Sequence, residues 1–245
     1  MEENKFKFPT EIVELPSKGL IYPANHPLRS GKVEMKYMTA KEEDILSNQS
    51  YIQKGVVLDK LLESLTMNKF DIKDLFIGDK NAILIASRVL GYGKDYSFEY
   101  KGQPHTVDLS KLENKPFNES LISSNGTIFY TLPKSENKIE FKFLNENDEK
   151  KINEEIQSYT KLNVEVLPEV TTRLKYQIVS INGENEKSKI KDFVDNYLLA
   201  EDSRSLRKYI KEISPDIDMK IQINVNGAEE DIEVPINLNF FWPDL

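Results

Sequence analysis

Residues Met35–Leu46 read MKYMTAKEEDIL, and the fold turns on how the acidic run Glu42-Glu43-Asp44 inside that apolar frame is understood. Upstream, Val33, Met35 and Tyr37 alternate with charged residues, the two-residue period of a half-buried strand. At Thr39 the pattern changes. Thr39 followed three residues later by Glu42 is the signature of a capping box, in which hydroxyl and carboxylate satisfy each other's orphan backbone amides at a helix start. The first helical turn also favours negative charge, because the positive end of the helix dipole lies there. A metal or acid–base site would need carboxylates that converge, and consecutive helical residues point about 100° apart. Thr39 and Glu42 are therefore expected to form a structural helix cap, with no catalytic, cofactor-binding or metal-binding residue in the run.

Working outward, residues 5–38 are punctuated by Pro16, Gly19, Pro23, Pro27 and Gly31 and should be extended and turn-rich. The segment GVVLDKLLESL from Gly55 places Leu58, Leu61, Leu62 and Leu65 at helical spacing. NAILIASRVL reads as a third helix, buried around most of its circumference, capped by Asp79 and stopped by Gly91. From Tyr96 the period becomes two. YSFEYKGQPHTVDL should be a hairpin turning at Lys101-Gly102, with TIFYTLP and KIEFKFLN as further strands. A polar helix, NDEKKINEEIQSY, comes next. TTRLKYQIVSING has the β-branched content of a strand but places Leu174, Ile178 and Ile181 at helical spacing, and is read as helix. KSKIKDFVDNYLL and DSRSLRKYIKEI are two more helices, the second capped by Asp202 or Ser203 and followed by Pro215. Asn226-Gly227 turns a last hairpin.

The expected class is α+β: an N-terminal strand segment and helical unit, then β-hairpins and strands, then a second helical group with a C-terminal hairpin. Three segments follow, residues 1–95, 96–145 and 146–245, or one continuous domain. The two hairpins share a frame that hints at a distant internal duplication.

Composition narrows function. A formal net charge of -8 over 245 residues disfavours nucleic acid and anionic membrane as partners. The absence of cysteine removes thiol catalysis, disulfides and the usual structural zinc site, and only His26 and His105 could serve as imidazole ligands. No apolar run approaches the roughly 18 residues of a membrane span, and the start MEENKFKFPTEI lacks a signal-peptide core, so a cytoplasmic protein is expected. No phosphate loop, nucleophile elbow or zinc-protease motif is present. No metal or cofactor is expected. Two stretches stand out as interaction candidates: LPSKGLIYP at residues 15–23, carrying Tyr22, and the closing Phe240-Phe241-Trp242-Pro243. Such aromatics anchor a partner or dock on the protein's own body.

Taken in order, LPSKGLIYP, GKVEMKYMTAKEEDIL, GVVLDKLLESL, GDKNAILIASRVLGYG, DSRSLRKYI with SPDIDM, and FFWP resemble the T4-like phage baseplate hub protein family, over roughly residues 8–243. The resemblance implies a non-enzymatic baseplate hub protein of contractile-tailed phages, a chaperone or a subunit in hub assembly. Its implied partners are other baseplate hub and tail proteins. A permanent virion tail subunit is the nearest alternative, and a cell-wall hydrolase built on clustered carboxylates the alternative from another class. Some relatives carry CxxC pairs in two hairpins, resembling zinc ribbons. Here those turns read Tyr100-Lys101-Gly102-Gln103 and Val225-Asn226-Gly227-Ala228, so zinc is not implied for this chain.

Overall fold

The computed structural model describes residues 9–162, 165–235 and 240–241. Strand β1 (Thr10–Glu14) pairs antiparallel with β2 (Lys32–Lys36), and Val33 and Met35 on β2 are fully buried. Three helices follow, α1 (Ala40–Leu46), α2 (Gln49–Gln53) and α3 (Val57–Leu65), of which α2 was not anticipated. The expected helix of the third leucine-rich segment is α4 (Ile77–Tyr92), and a hairpin, β3 (Asp95–Tyr100) with β4 (Gln103–Asp108), closes this half. The second half runs β5 (Ile128–Thr131), β6 (Lys138–Phe141), α5 (Glu146–Lys161), α6 (Glu169–Gln177), β7 (Ile178–Ile181), α7 (Lys187–Asp192) with a π-turn over Phe193–Tyr197, α8 (Ala200–Ile213), and the hairpin β8 (Lys220–Val225) with β9 (Ala228–Glu233). The class is α+β, as read from the pattern.

The two halves repeat one unit, and the match extends to individual contacts. In each first hairpin a threonine hydroxyl donates across the strands to a glutamate, Thr10 to Glu34 at 2.8 Å and Thr127 to Glu140 at 2.7 Å. In each, a lysine at the end of the second strand, Lys36 on β2 and Lys142 just past β6, pairs with the carboxylate six residues on, Glu42 and Asp148 respectively. Both carboxylates belong to capping boxes, with Thr39 and Asn145 as the caps. The second strand of each hairpin then meets the chain leaving the next long-range helix, as a bridge between Met35 and Thr66 in the first half and as the full strand β7 in the second. The last hairpins turn at Lys101-Gly102 and Asn226-Gly227, all four residues at positive φ, the geometry that suits the strands' right-handed twist. Beyond each hairpin the same backbone bond closes it, Leu109 N to Lys94 O and Val234 N to Met219 O, both 2.8 Å.

Four sequence expectations need correction. Asp79 does not cap α4: the helix starts two residues earlier, after Phe76, and Asp79 occupies its third position. Neither Asp202 nor Ser203 caps α8, whose cap is Leu199, with Asp202 again third. In both cases the carboxylate is drawn away from its own helix by amides of a distant turn, described below. The stop of α4 is Gly93, at φ 82°; Gly91 lies inside the helix, where a Cβ would sit 2.5 Å from Met38 Sδ. Finally, TTRLKYQIVSING is helix only to Gln177. Ile178–Ile181 leave the helix to pair with β6, and tertiary pairing outweighs the helical spacing of Leu174, Ile178 and Ile181.

Most of the buried apolar side chains among the described residues form one cluster running from Leu15 to Phe241 through both halves. The halves meet backbone to backbone at Gly78, where a Cβ would lie 2.0 Å from Pro215 O, and Asn81 Nδ2 donates to Asp216 Oδ1 at 3.1 Å. Among the described residues no helix is long and apolar enough to cross a membrane.

Candidate functional site

The acidic run at the start of α1 separates into one internal and two external groups. Glu43 and Asp44 are exposed, whereas Glu42 is fully buried. Its Oε1 accepts from Lys36 Nζ at 2.8 Å and Ser64 Oγ at 2.6 Å, and its Oε2 from the Thr39 amide at 2.8 Å and the Thr39 hydroxyl at 2.7 Å. Burial by itself would raise this carboxyl, but the bonds from Lys36, Ser64 and Thr39 together outweigh it and hold the group at about 2. With four donors satisfied, Glu42 has nothing left with which to move a proton. It ties the start of α1 to β2 and α3.

That shift carries a pH prediction. A carboxyl held below its ordinary 4.5 contributes stability at higher pH that is lost as pH falls toward the folded-state value of about 2. Glu42→Gln should therefore lower stability by about 1–2 kcal/mol at neutral pH, after allowance for screening at the partly open Lys36 edge. The deficit relative to wild type should fade between about pH 4.5 and pH 2 in denaturant titrations. A deficit that stays constant with pH would mean the amide loses packing and not charge.

The proline–glycine segment LPSKGLIYP is likewise turned inward. Lys18 sits at φ 51° and Gly19 at φ 77°, with no room at Gly19 for a Cβ, which would meet Arg29 O at 2.5 Å. This tight turn presents Ser17, 0% exposed, to α4: its amide donates to Asp79 Oδ1 at 2.9 Å and its hydroxyl to Asp79 Oδ2 at 2.6 Å. Tyr22 OH donates to the same Oδ2 at 2.7 Å and accepts from the Phe76 amide at 3.1 Å. Burial pushes Asp79 above the usual carboxylate range against the bonds from Ser17 and Tyr22, and burial together with the Asp79 charge keeps Tyr22 protonated. The second half repeats the lock with LPKSEN at residues 132–137. The amides of Lys134 and Ser135 donate to Asp202 at 2.8 and 3.1 Å.

Tyr22 and the closing aromatics, the sequence's interaction candidates, are thus placed inside. Tyr22 is 6% exposed, and Phe240 and Phe241 are covered, Phe240 packing edge-on against Tyr96 at 4.9 Å between ring centroids and against Phe241 at 5.2 Å. Trp242 and Pro243 lie outside the described residues. The candidates are not brought together: Tyr22 belongs to the Asp79 lock, and the two phenylalanines cover the first of the late hairpins.

The surface feature that the sequence reading missed lies in the second half. A cleft of about 750 Å³ between α5, α6, β7 and α7 is lined by Lys142, Lys151, Lys175, Lys187 and Lys191. Lys142 pairs with Asp148 and Lys175 with Asp195, each at 2.6 Å, whereas Lys151, Lys187 and Lys191 are exposed and make no ion pair among the described residues. These five lysines come from the loop after β6 and from α5, α6 and α7, so no local pattern marks them. Among the described residues no group of three or more His, Asp or Glu could hold a metal ion. No family model, curated protein or solved structure matches the chain.

Proposed function

We propose that this chain is a non-enzymatic baseplate hub protein of a contractile-tailed phage, acting in hub assembly in the host cell cytoplasm through contacts with other hub and tail proteins. The observation that carries the reading is the ordered set of segments from LPSKGLIYP to FFWP. The geometry supports its non-enzymatic side: of the acidic run that looked most like chemistry, Glu42 is consumed by donors while Glu43 and Asp44 point outward, and the buried Asp79 and Asp202 are likewise taken by donors from elsewhere in the chain. Such groups hold a scaffold and are poorly placed to exchange protons with a substrate.

The test is a phage in which the gene is deleted, grown with and without the protein supplied from a plasmid. Without it, electron microscopy should show free tail components and no complete baseplates, and the plasmid should restore them. Normal particles from the deletion phage would overturn the proposal. So would peptidoglycan hydrolysis by the purified protein that disappears in Glu43→Ala or Asp44→Ala. Mass spectrometry of mature virions then divides the role: peptides of the protein mark a retained subunit, and their absence marks a departing chaperone.

A further inference from the structure

The internal repeat supplies a reference for the surface around each lysine–carboxylate pair, because the matched positions of one half show what the shared architecture requires there. At the Lys36–Glu42 lock, α3 closes over the carboxylate through Ser64 Oγ, and the counterpart positions around it hold Ile45 and Glu63. In the second half the lysine–carboxylate pair is kept as Lys142–Asp148, but its surroundings differ. Ile45 is replaced by Lys151, Glu63 by Lys175 and Ser64 by Tyr176, whose hydroxyl turns away to Glu155 at 3.2 Å. The cover is gone and a cleft stands in its place. Lys187 and Lys191 on α7 add two further cations. The fold therefore does not require this opening, nor its charge.

We propose that the cleft binds an acidic, amphipathic segment of a partner protein. Five lysines face three carboxylates here, Asp148, Glu155 and Asp195, so the cleft is net positive on a chain whose formal charge is -8. Holding Lys151, Lys187 and Lys191 together against the single remaining carboxylate of Glu155 is unfavourable in the free protein, and an anionic ligand relieves it. Between the ammonium groups the floor is apolar, formed by Ile178, Val179 and Ile190, which suits leucine or isoleucine side chains alternating with carboxylates. Phosphate is less well served. The cleft has no arginine to form a bidentate fork and no glycine turn, and the N-terminal amide of α5 nearest it is already taken by Asn145. The chemistry of the cleft does not depend on the hub assignment.

Fluorescence anisotropy with a labelled peptide alternating glutamate and leucine tests this directly, beside single-stranded oligothymidylate and inorganic polyphosphate as competitors. The peptide should bind saturably and more weakly as salt rises. The triple variant Lys151→Glu, Lys187→Glu, Lys191→Glu should weaken it at least about tenfold. The matched variant Lys41→Glu, Lys54→Glu, Lys111→Glu, in exposed lysines of the first half that likewise make no ion pair among the described residues, should leave it unchanged. If the cleft variant melts below wild type, the same three positions changed to glutamine repeat the test without added charge. No saturable binding up to about 1 mM, equal loss in both triple variants, or displacement of the peptide by polyphosphate or oligothymidylate at lower concentration would each overturn the proposal.

Discussion

Phe240→Ala should destabilise the isolated protein by about 3–5 kcal/mol, the range for deleting a large aromatic from a closed core. Phe240 is 0% exposed and touches Tyr96, itself 1% exposed, edge-on, while Tyr96 OH donates to Pro235 O at 3.0 Å. Removing the ring opens a void against β3 beside the Tyr96–Pro235 hydrogen bond. Phe241→Ala should act on the same unit, and because the two rings are in contact the double variant should lose less than the sum of the singles. Urea unfolding of the purified protein reads both effects. Unchanged stability on truncating Phe240 would show that the tail is held by something other than this chain.

The second large effect belongs to Asp79. Asp79→Ala leaves the Ser17 amide, the Ser17 hydroxyl and the Tyr22 hydroxyl without their acceptor in a site 0% exposed, and should lose about 3–5 kcal/mol. Asp202→Ala abandons two amides and should lose about 2–4 kcal/mol. Their pH dependence should differ in sign. Asp79 is raised above its ordinary 3.8, so its ionisation opposes folding, and the deficit of Asp79→Asn should be largest in acid and shrink as pH rises past about 4. Asp202 is lowered: burial pushes it up, but the bonds from Ser135 and Lys134 prevail. The deficit of Asp202→Asn should therefore be largest near neutrality and fade in acid. One reason for the contrast is that Asp79 faces the negative charge of Asp216, whereas Asp202 has the positive charge of Lys134 nearby. The same trend for both variants would show that the two locks do not ionise differently.

Local physics was legible in the chain wherever a feature is settled within a few residues. The capping box of Thr39 and Glu42, the turns at Lys101-Gly102 and Asn226-Gly227, and the leucine stripe of α3 all follow from short-range geometry, and all stand where the pattern put them. The duplication was half visible. The late hairpins share a frame, and LPSKG and LPKSE, which also correspond, are separated by more than a hundred residues and share only their first two positions, with no periodicity to flag them.

What only the tertiary structure decided depends on partners distant in sequence. Asp79 and Asp202 look like helix caps to any local reading, because the donors that claim them come from 57 to 68 residues away. Ile178–Ile181 satisfy a helix and a strand equally well until β6 is there to pair with. Whether an aromatic faces inward is set by what is packed above it, so Tyr22 and Phe240 could not be assigned from their own neighbours. The lysine cleft is the extreme case: its cations come from the loop after β6 and from three helices, and only the fold makes them adjacent. Sequence spacing determines which side of a helix or strand a residue occupies, whereas the company it keeps there is determined by how the two halves close on each other.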